Sequence, residues 1–370
     1  MLASESAGWL HSWLLGQPAW LLWMLCVAGI GTLVYGADKT VNSAVKLSRR
    51  LGMSTVLIGA TVVSLGTTMP EMFTSVTAAF RGESGLALGN GVGSIICDTA
   101  LIFGLCCLLT RLPMDRFVLN RHGWLQLGSG VLLAGVCGVL ALLSGRLGTP
   151  GTENPGDWNV IPQWIGVVFI LLLVGYLYLS VRWARQRPDL AAEAVEEAQG
   201  SGQGAAAARP AGSAVATAIV LVAGLALIAL GSNVLIPAVK VLAEEHYHVP
   251  KDFLAVTLVA LGTSLPELVT AIAAIVRGHK GLLVGNIIGA DILNVLFVVG
   301  LSLCATDLEV PPTFYLLHLP VMLVVLGLLR LYIFISGPKG FSRWMGLPLL
   351  AVYAAYYVLL ATFAGHLVGK

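Results

Sequence analysis

Two carboxylates that could bind a cation occupy matching places in two related segments of the chain. Glu71 follows Pro70 and Glu267 follows Pro266, each inside a long apolar segment. Ionisable side chains are costly within a membrane, and where they occur they usually mark an ion pathway. Hard cations such as Ca²⁺ and Na⁺ prefer oxygen ligands. The repeated Pro–Glu pair therefore predicts a cation site to which both segments contribute.

The two segments are repeats of each other. Residues 66–104 and 262–300 align without a gap at an offset of 196, with 15 of 39 positions identical. The identities include glycine, threonine, proline, glutamate and asparagine rather than only apolar residues. Many membrane transporters are built from two such repeats, with the substrate bound at the interface between them.

Hydroxyl groups accompany both carboxylates. Thr67 lies four residues before Glu71, and Thr263 lies four residues before Glu267. This spacing places both members of each pair on one helix face. The sequence thus predicts a carboxylate and a hydroxyl that point in the same direction, once in each repeat.

The prolines add carbonyl oxygens to this set. Proline has no N–H, so Pro70 leaves the Gly66 carbonyl without its usual helical donor, and Pro266 does the same for Gly262. Such carbonyls are tolerated within a membrane where they are buried in protein or line a cavity. We therefore expect a broken helix at each proline.

The later half of each repeat supplies the opposite wall of the predicted site. Polar or small residues recur there at intervals of four: Asn90, Ser94 and Asp98, and then Asn286, Ala290 and Asn294. Asp98 would cost at least ~2.5–3.5 kcal/mol inside the membrane if it had no partner. Its alternative role is to cap a broken helix or to bond a neighbour. Asp291 either adds a further negative charge to the site or bonds the protein framework.

The composition is that of an integral membrane protein. Hydrophobic residues form 57% of the chain, charged residues 11%, and the mean hydropathy is +0.87. Soluble domains carry about 25% charged residues, and a membrane-spanning helix needs about 20 apolar residues. The chain has ten such stretches, predicted near 18–38, 53–80, 85–109, 123–143, 162–182, 214–239, 253–276, 281–304, 313–335 and 342–364.

The basic residues predict the topology. Sixteen Lys and Arg lie in or beside the loops after spans 1, 3, 5, 7 and 9, and five lie elsewhere. The positive-inside rule then places both termini outside the cytoplasm. Because each repeat has an odd number of spans, the second enters the membrane inverted relative to the first. We expect an all-α polytopic membrane protein with ten transmembrane helices in two inverted five-helix repeats, with broken helices at a central ion site.

The chain divides into two repeats and a linker. Residues 1–183 form the first five-helix repeat, with its motif at 66–104, and residues 214–370 form the second, with its motif at 262–300. Residues 184–213 are rich in alanine and glycine, which predicts a flexible cytoplasmic linker.

The repeated GT(T/S)xPE and GNxxG blocks resemble the alpha repeats of the sodium/calcium exchanger (cation/calcium antiporter) superfamily. The bacterial and archaeal ten-helix members are the most similar in topology. The motifs cover both repeats, and the topology covers the whole chain. This resemblance implies a site between spans 2, 3, 7 and 8, with spans 1 and 6 as a long tilted pair that slides across it.

The resemblance also implies a set of ion ligands. The family's two glutamates fall on Glu71 and Glu267, and its other two side-chain ligands fall on Asp98 and Asn294. Hydroxyl positions and the loosened carbonyls complete the set: Thr67, Thr68, Ser94, Thr263, Ser264, Gly66 and Gly262, with Asp291 as a further candidate. Asp38 and Asn233, near opposite membrane faces, are expected to be structural.

The sequence departs from the family pattern at three places. Ile95 replaces an asparagine beside Ser94, and Ala290 replaces a common serine. Asp98 and Asn294 place the acid in the first repeat and the amide in the second, which reverses a common arrangement.

These observations predict a secondary active antiporter, not an enzyme, that exchanges Ca²⁺ for Na⁺ or H⁺ by alternating access. The alternatives are a cation/H⁺ antiporter that does not use Na⁺ and a cation channel. No GxSxG or HExxH motif points to hydrolysis. We expect no cofactor and no nucleic-acid partner, with a lipid bilayer as surroundings, a monomer as functional unit, and the bacterial inner membrane as location.

Overall fold

The computed structural model describes residues 12–51, 53–143, 158–186, 213–247, 262–337 and 340–368, and most of these residues are helical. The predicted linker lies almost wholly outside the described residues. The helices are α1 (Ala19–Leu51), α2 (Thr55–Thr67), α3 (Met69–Phe80), α4 (Ser84–Leu109), α5 (Arg116–Leu143), α6 (Gln163–Gln186), α7 (Ala214–Val241), α8 (Leu265–Val276), α9 (Lys280–Ala305), α10 (Phe314–Ile335) and α11 (Gly346–Val368).

The helices match the predicted membrane spans. Among the described residues, eight helices are each long and apolar enough to cross a membrane, and α2 with α3 forms a further span bent by 43°. The bend lies at Thr68, two residues before Pro70, as the missing N–H of proline predicts. Helix α8 and residues 262–264 before it are the described part of predicted span 7, and residues 253–261 lie outside the described ranges. The protein is thus an all-α polytopic membrane protein.

Two helices extend well beyond the predicted spans. Helix α1 continues to Leu51 instead of ending at residue 38, and α5 begins at Arg116 instead of residue 123. The apolar run marks only the part of a helix in the hydrocarbon region. Both extensions carry basic residues, Arg49 and Arg50 in α1 and Arg116 and Arg121 in α5, and long basic side chains can place their charged ends at the membrane interface.

Helices α1 and α7 cross with twofold pseudo-symmetry. A Cβ atom on Gly36 would lie 2.8 Å from the carbonyl oxygen of Gly224, and one on Gly231 would lie 2.9 Å from that of Gly29. At an offset of 195, Gly231 is the counterpart of Gly36 and Gly224 is the counterpart of Gly29, so the two contacts are equivalent. The two helices therefore run antiparallel with their backbones in contact, and the second repeat is inverted relative to the first.

Helices α4 and α9 form the centre of the structure. Helix α9 packs directly on the backbone of α2, since a Cβ atom on Gly285 would lie 1.9 Å from the Val56 carbonyl oxygen and one on Gly289 would lie 2.4 Å from that of Ala60. Glycine permits this approach because it has no side chain. Each central helix contains a π-helical turn, at Cys97–Phe103 in α4 and at Asn294–Val299 in α9.

A small ribbon that the sequence did not predict joins two loops. Strand β1 (Asn159–Ile161) pairs antiparallel with β2 (Leu308–Val310), with Asn159 opposite Val310. These strands follow spans 4 and 8, two loops that the predicted topology places on the same membrane face.

Candidate cation site

The two glutamates of the motif occupy equivalent places in the centre of the protein. Glu71 lies in the first turn of α3 and Glu267 in the first turn of α8, each directly after a proline. Their side chains are 0% and 1% exposed. A helix N-terminus carries positive partial charge that favours an anionic side chain, so each carboxylate lies where the broken helix supports its charge.

The carboxylates of both repeats lie close enough to repel one another. Glu71 interacts electrostatically with Glu267 and Asp98, and Asp98 interacts with Glu267 and Asp291. All four side chains are buried. Repulsion among buried carboxylates is reduced only when a positive charge lies between them or when some of them are protonated.

Hydroxyl and amide groups connect the two repeats around these acids. Ser94 Oγ lies 3.4 Å from Thr263 Oγ1, and Thr67 Oγ1 donates to Asn286 Oδ1 at 3.4 Å. Thr67 also lies beside Glu267. Each of these contacts joins one repeat to the other, so the predicted hydroxyls lie where the two repeats meet.

Several buried oxygens at this centre have no hydrogen-bond partner among the described residues. Both carboxylate oxygens of Glu71, both of Asp98 and Oε2 of Glu267 are in this state. So is Oδ1 of Asn294. Nearly all buried polar groups in proteins are hydrogen-bonded, and each exception points to a function such as ion or water binding. These unpartnered oxygens are available to a cation.

Two further hydroxyls belong to the same group. Thr68 Oγ1 and Ser264 Oγ are buried and have no hydrogen-bond partner in the described part of the chain. Ser264 is the counterpart of Thr68 at the offset of 196, and it lies beside Asp98. The later half of α4 thus faces the break that precedes α8.

Asp98 and Asn294 occupy equivalent positions in the central helices. Asp98 is the second residue of the π-helical turn in α4, and Asn294 is the first residue of the turn in α9. Their side chains are 0% and 1% exposed. π-Helical turns are frequent at functional sites, and here two of them accompany the third and fourth predicted ligands.

Carboxylate, histidine and cysteine side chains of the described residues do not by themselves enclose a metal ion in this arrangement. The described residues contain no group of three or more His, Cys, Asp and Glu side chains that could hold one. A cation bound here would have to complete its shell with hydroxyl, amide, carbonyl or water oxygens, which Ca²⁺ accepts at coordination numbers of about 6–8.

Asp291 bonds the protein framework. Its Oδ2 accepts hydrogen bonds from Thr99 Oγ1 and from Gln126 Nε2, the latter at 2.5 Å. Its Oδ1 has no partner among the described residues. Asp291 therefore ties α9 to α4 and α5. The sequence missed Thr99 and Gln126, although a glutamine within an apolar span was a signal that some buried partner existed.

Asn90 fixes the carboxylate-bearing helix of the first repeat. Its Nδ2 donates to the Glu71 carbonyl oxygen at 3.0 Å and to Ser75 Oγ at 2.9 Å. The equivalent of Ser75 in the second repeat is Ala271, and Nδ2 of Asn286 has no partner in the described residues. The matching asparagines thus have different partners in the two repeats.

The two loosened carbonyls belong to glycines that face one helix, α7. A Cβ atom on Gly66 would lie 2.2 Å from Leu225 Cδ1, and one on Gly262 would lie 3.0 Å from Ile236 Cδ1. Helix α7 therefore covers both breaks, and a side chain at Gly66 would require the Leu225 side chain to move.

Comparisons with a family profile and with individual proteins point to the same family. The sequence profile described as "Sodium/calcium exchanger protein" matches residues 21–182 and 216–362. The inner membrane protein YrbG of Escherichia coli (strain K12) is 32% identical over 338 residues, which cover 91% of this chain and 95% of that protein. The sodium/calcium exchanger MaX1 of Methanosarcina acetivorans is 29% identical over 349 residues, covering 91% and 97%.

Solved structures give the same result for the fold. A structure of the sodium-calcium exchanger NCX_Mj soaked with Na⁺ and Sr²⁺ aligns with a TM-score of 0.71 at 25% identity, covering 91% of this chain and 98% of that one. The alignment includes both repeats, so the ten-helix inverted-repeat fold extends over the chain.

Proposed function

We propose that this chain, which belongs to the sodium/calcium exchanger protein family, is a secondary active antiporter that exchanges Ca²⁺ for Na⁺. Relatives of similar length bear the name sodium/calcium exchanger. One observation carries the proposal. Glu71 is fully buried, and neither of its carboxylate oxygens has a hydrogen-bond partner among the described residues. A buried charge without a partner needs a counter-ion, and a transported cation supplies it.

In this proposal Ca²⁺ binds between the repeats. Glu71, Glu267 and Asp98 neutralise its charge, and Asn294 adds an amide oxygen. The remaining oxygens come from hydroxyls and from the carbonyls loosened by the two prolines. Sodium binds to overlapping oxygens with half the charge, so Na⁺ and Ca²⁺ compete. Exchange then needs no bound cofactor.

Transport further requires that the site open to one membrane face at a time. The α1–α7 pair is the element suited to move, because it crosses the breaks at Gly66 and Gly262 and contacts both repeats. Movement of a rigid pair against a fixed core is a common form of alternating access in repeat-built transporters. We place both termini outside the cytoplasm on the basis of the loop charges, and we place the protein in a bacterial inner membrane by analogy with its relative YrbG.

A contribution of protons to the coupling is a second candidate function. Ala290 is fully buried at the counterpart of Ser94, so one of the two equivalent positions lacks a hydroxyl oxygen. Carboxylates left by Ca²⁺ can be neutralised by protons as well as by Na⁺. A cation/H⁺ antiporter is the limiting case of this candidate.

Calcium uptake into proteoliposomes separates these functions. Vesicles are loaded with Na⁺ or K⁺ at equal pH, and a further set carries a pH gradient without Na⁺. We expect Na⁺-loaded vesicles to accumulate Ca²⁺ above its external concentration. Accumulation driven only by the pH gradient would contradict Na⁺ exchange and favour the H⁺ antiporter. Equilibration without accumulation would indicate a channel.

A further inference from the structure

The α1–α7 pair contacts the two repeats unequally. Val269 of α8 packs against a small apolar cluster formed by Leu33 and Ala37 of α1 and Ile228 of α7. The counterpart of Val269 in α3 is Phe73, whose side chain is 56% exposed. The pair therefore covers the face of α8 that carries Val269 and leaves the equivalent face of α3, which carries Phe73, uncovered.

An ion pair joins the same elements at the end of α8. Arg277, which follows the last residue of α8, pairs with Asp38 of α1. Asp38 also accepts a hydrogen bond from Asn42 Nδ2 at 3.3 Å. The side chains of Arg277 and Asp38 are 37% and 28% exposed, so both are partly removed from solvent. This contact links the pair of crossing helices to one repeat.

The equivalent contact in the other repeat lacks one of the charges. The counterpart of Arg277 is Arg81, which follows the last residue of α3, and the counterpart of Asp38 is Asn233 of α7. Arg81 and Asn233 are both exposed. Among the residues that the structure describes, neither of them forms an ion pair. If the α1–α7 pair moved to cover α3, Asn233 would meet Arg81 as a neutral amide.

We propose that the Asp38–Arg277 ion pair is a latch that holds the α1–α7 pair on α8, and that the missing charge at Asn233 makes the opposite state less populated. The inference rests on the proposed function only in assuming that the pair moves between α8 and α3. A contact shifts such an equilibrium only if it differs between the two states. The latch meets this condition, because its counterpart cannot form an ion pair.

The expected effect is modest. A partly exposed ion pair changes an equilibrium about two- to fivefold, and salt weakens it. The latch therefore sets a preference between two states and leaves both accessible. Asp38 and Asn233, two positions outside the cation site, would then influence which membrane face the site opens to.

Distances between spin labels test the latch directly. Labels are placed at Phe80→Cys in α3 and Leu230→Cys in α7, two positions that are 72% and 59% exposed. Cys304 is replaced by alanine because it is the exposed cysteine, and the other five are buried. Pulsed electron paramagnetic resonance is recorded on protein in lipid nanodiscs without added Na⁺ or Ca²⁺. The distance distribution then reports the fraction of molecules in which α7 lies close to α3.

We expect a mainly long distance in the background protein. Asp38→Asn should raise the ratio of short to long distances about two- to fivefold, the effect of one partly exposed ion pair. Arg277→Gln should match it, and the double variant should add little, because both remove the same contact. Asn233→Asp should also raise the ratio by creating the second pair. Asp38→Glu is the matched control and should keep the original distribution.

Unchanged distances in Asp38→Asn and Asn233→Asp, with Asp38→Glu folded, would overturn the latch. So would a shift of Asn233→Asp in the opposite direction. These distances are measured without transport. A shifted distribution in a protein that does not exchange Na⁺ for Ca²⁺ would therefore refute the proposed function and support the latch. Normal exchange with unchanged distances would do the reverse.

Discussion

The two repeats agree in the Pro–Glu core of the candidate cation site and differ in several of the residues around that core. The Pro–Glu pairs match, and so do Thr67 with Thr263 and Asn90 with Asn286. The Asp291 network has an apolar counterpart instead. Its members Asp291, Thr99 and Gln126 correspond to Ile95, Val295 and Met322, all of them buried.

This contrast bears on the direction of the proposed exchange. If the protein alternates between two states as proposed, matching residues exchange roles and leave the two states equal. Unmatched residues such as Asp291, Ala290 and Asp38 act on one side only. Because each has a counterpart in the same chain, the counterpart supplies a matched substitution for every test.

Removing either site glutamate should have the largest effect. Glu71→Gln and Glu267→Gln should each reduce Na⁺-driven Ca²⁺ uptake to the background of empty liposomes. Both variants should stay folded, because neither glutamate has a cationic partner that would be left unpaired. Glu83→Gln, an exposed acid between α3 and α4, is the control and should transport normally. Near-normal flux in either site variant would contradict the assignment.

Replacing Asp291 by its counterpart should lower stability. Asp291→Ile leaves the donors of Thr99 and Gln126 without an acceptor, at about 1–3 kcal/mol for each buried group. Thermal unfolding followed by size-exclusion chromatography should show a lower midpoint. The triple variant Asp291→Ile, Thr99→Val and Gln126→Met copies the apolar set and should recover much of the loss. Equal midpoints for the single variant and the native protein would show that the network contributes nothing.

Asp98→Asn should weaken Ca²⁺ binding more than Na⁺ binding. Coulomb energy scales with ionic charge, so a loss of about threefold for Na⁺ corresponds to about tenfold for Ca²⁺. Titration calorimetry measures both affinities. Adding Asn294→Asp returns one carboxylate to the site from the other repeat and should restore much of the Ca²⁺ affinity. Equal losses for the two ions would make Asp98 a structural residue.

Ala290→Ser should have the smallest effect. The added hydroxyl supplies one neutral oxygen opposite Ser94, which should lower the Na⁺ concentration for half-maximal uptake about two- to fivefold, as expected for one hydrogen-bond-sized contribution. Ser94→Ala is the reverse test and should raise that concentration. An unchanged Na⁺ dependence in Ala290→Ser, at normal expression, would show that the missing hydroxyl does not limit Na⁺ binding.

The sequence predicted the parts of the fold that depend on repetition and on proline. The bend before Pro70 followed from the proline in the repeated motif, and the pairing of α1 with α7 followed from the family resemblance. The positions of Glu71 and Glu267 at helix starts followed from the proline beside each of them. These features depend on local chemistry that a linear pattern contains.

Contacts between distant spans could not be predicted in the same way. The bonds of Asp291 to Thr99 and Gln126 join three helices, and no spacing along the chain indicates which spans are neighbours at that depth. The sequence left the role of Asp291 open for this reason. The Asp38–Arg277 pair was missed likewise, although the acid at 38 and the amide at 233 were visible as an unequal pair.

Equilibrium binding of radioactive Ca²⁺ to the purified protein tests most directly whether both repeats form one shared site. We predict about one Ca²⁺ per chain, displaced by Na⁺, with complete loss in Glu71→Gln and equally in Glu267→Gln, since the proposed site takes ligands for one ion from both repeats. Binding that Na⁺ does not displace, or retention of about half of the bound Ca²⁺ in each variant, would contradict a single site built by both repeats.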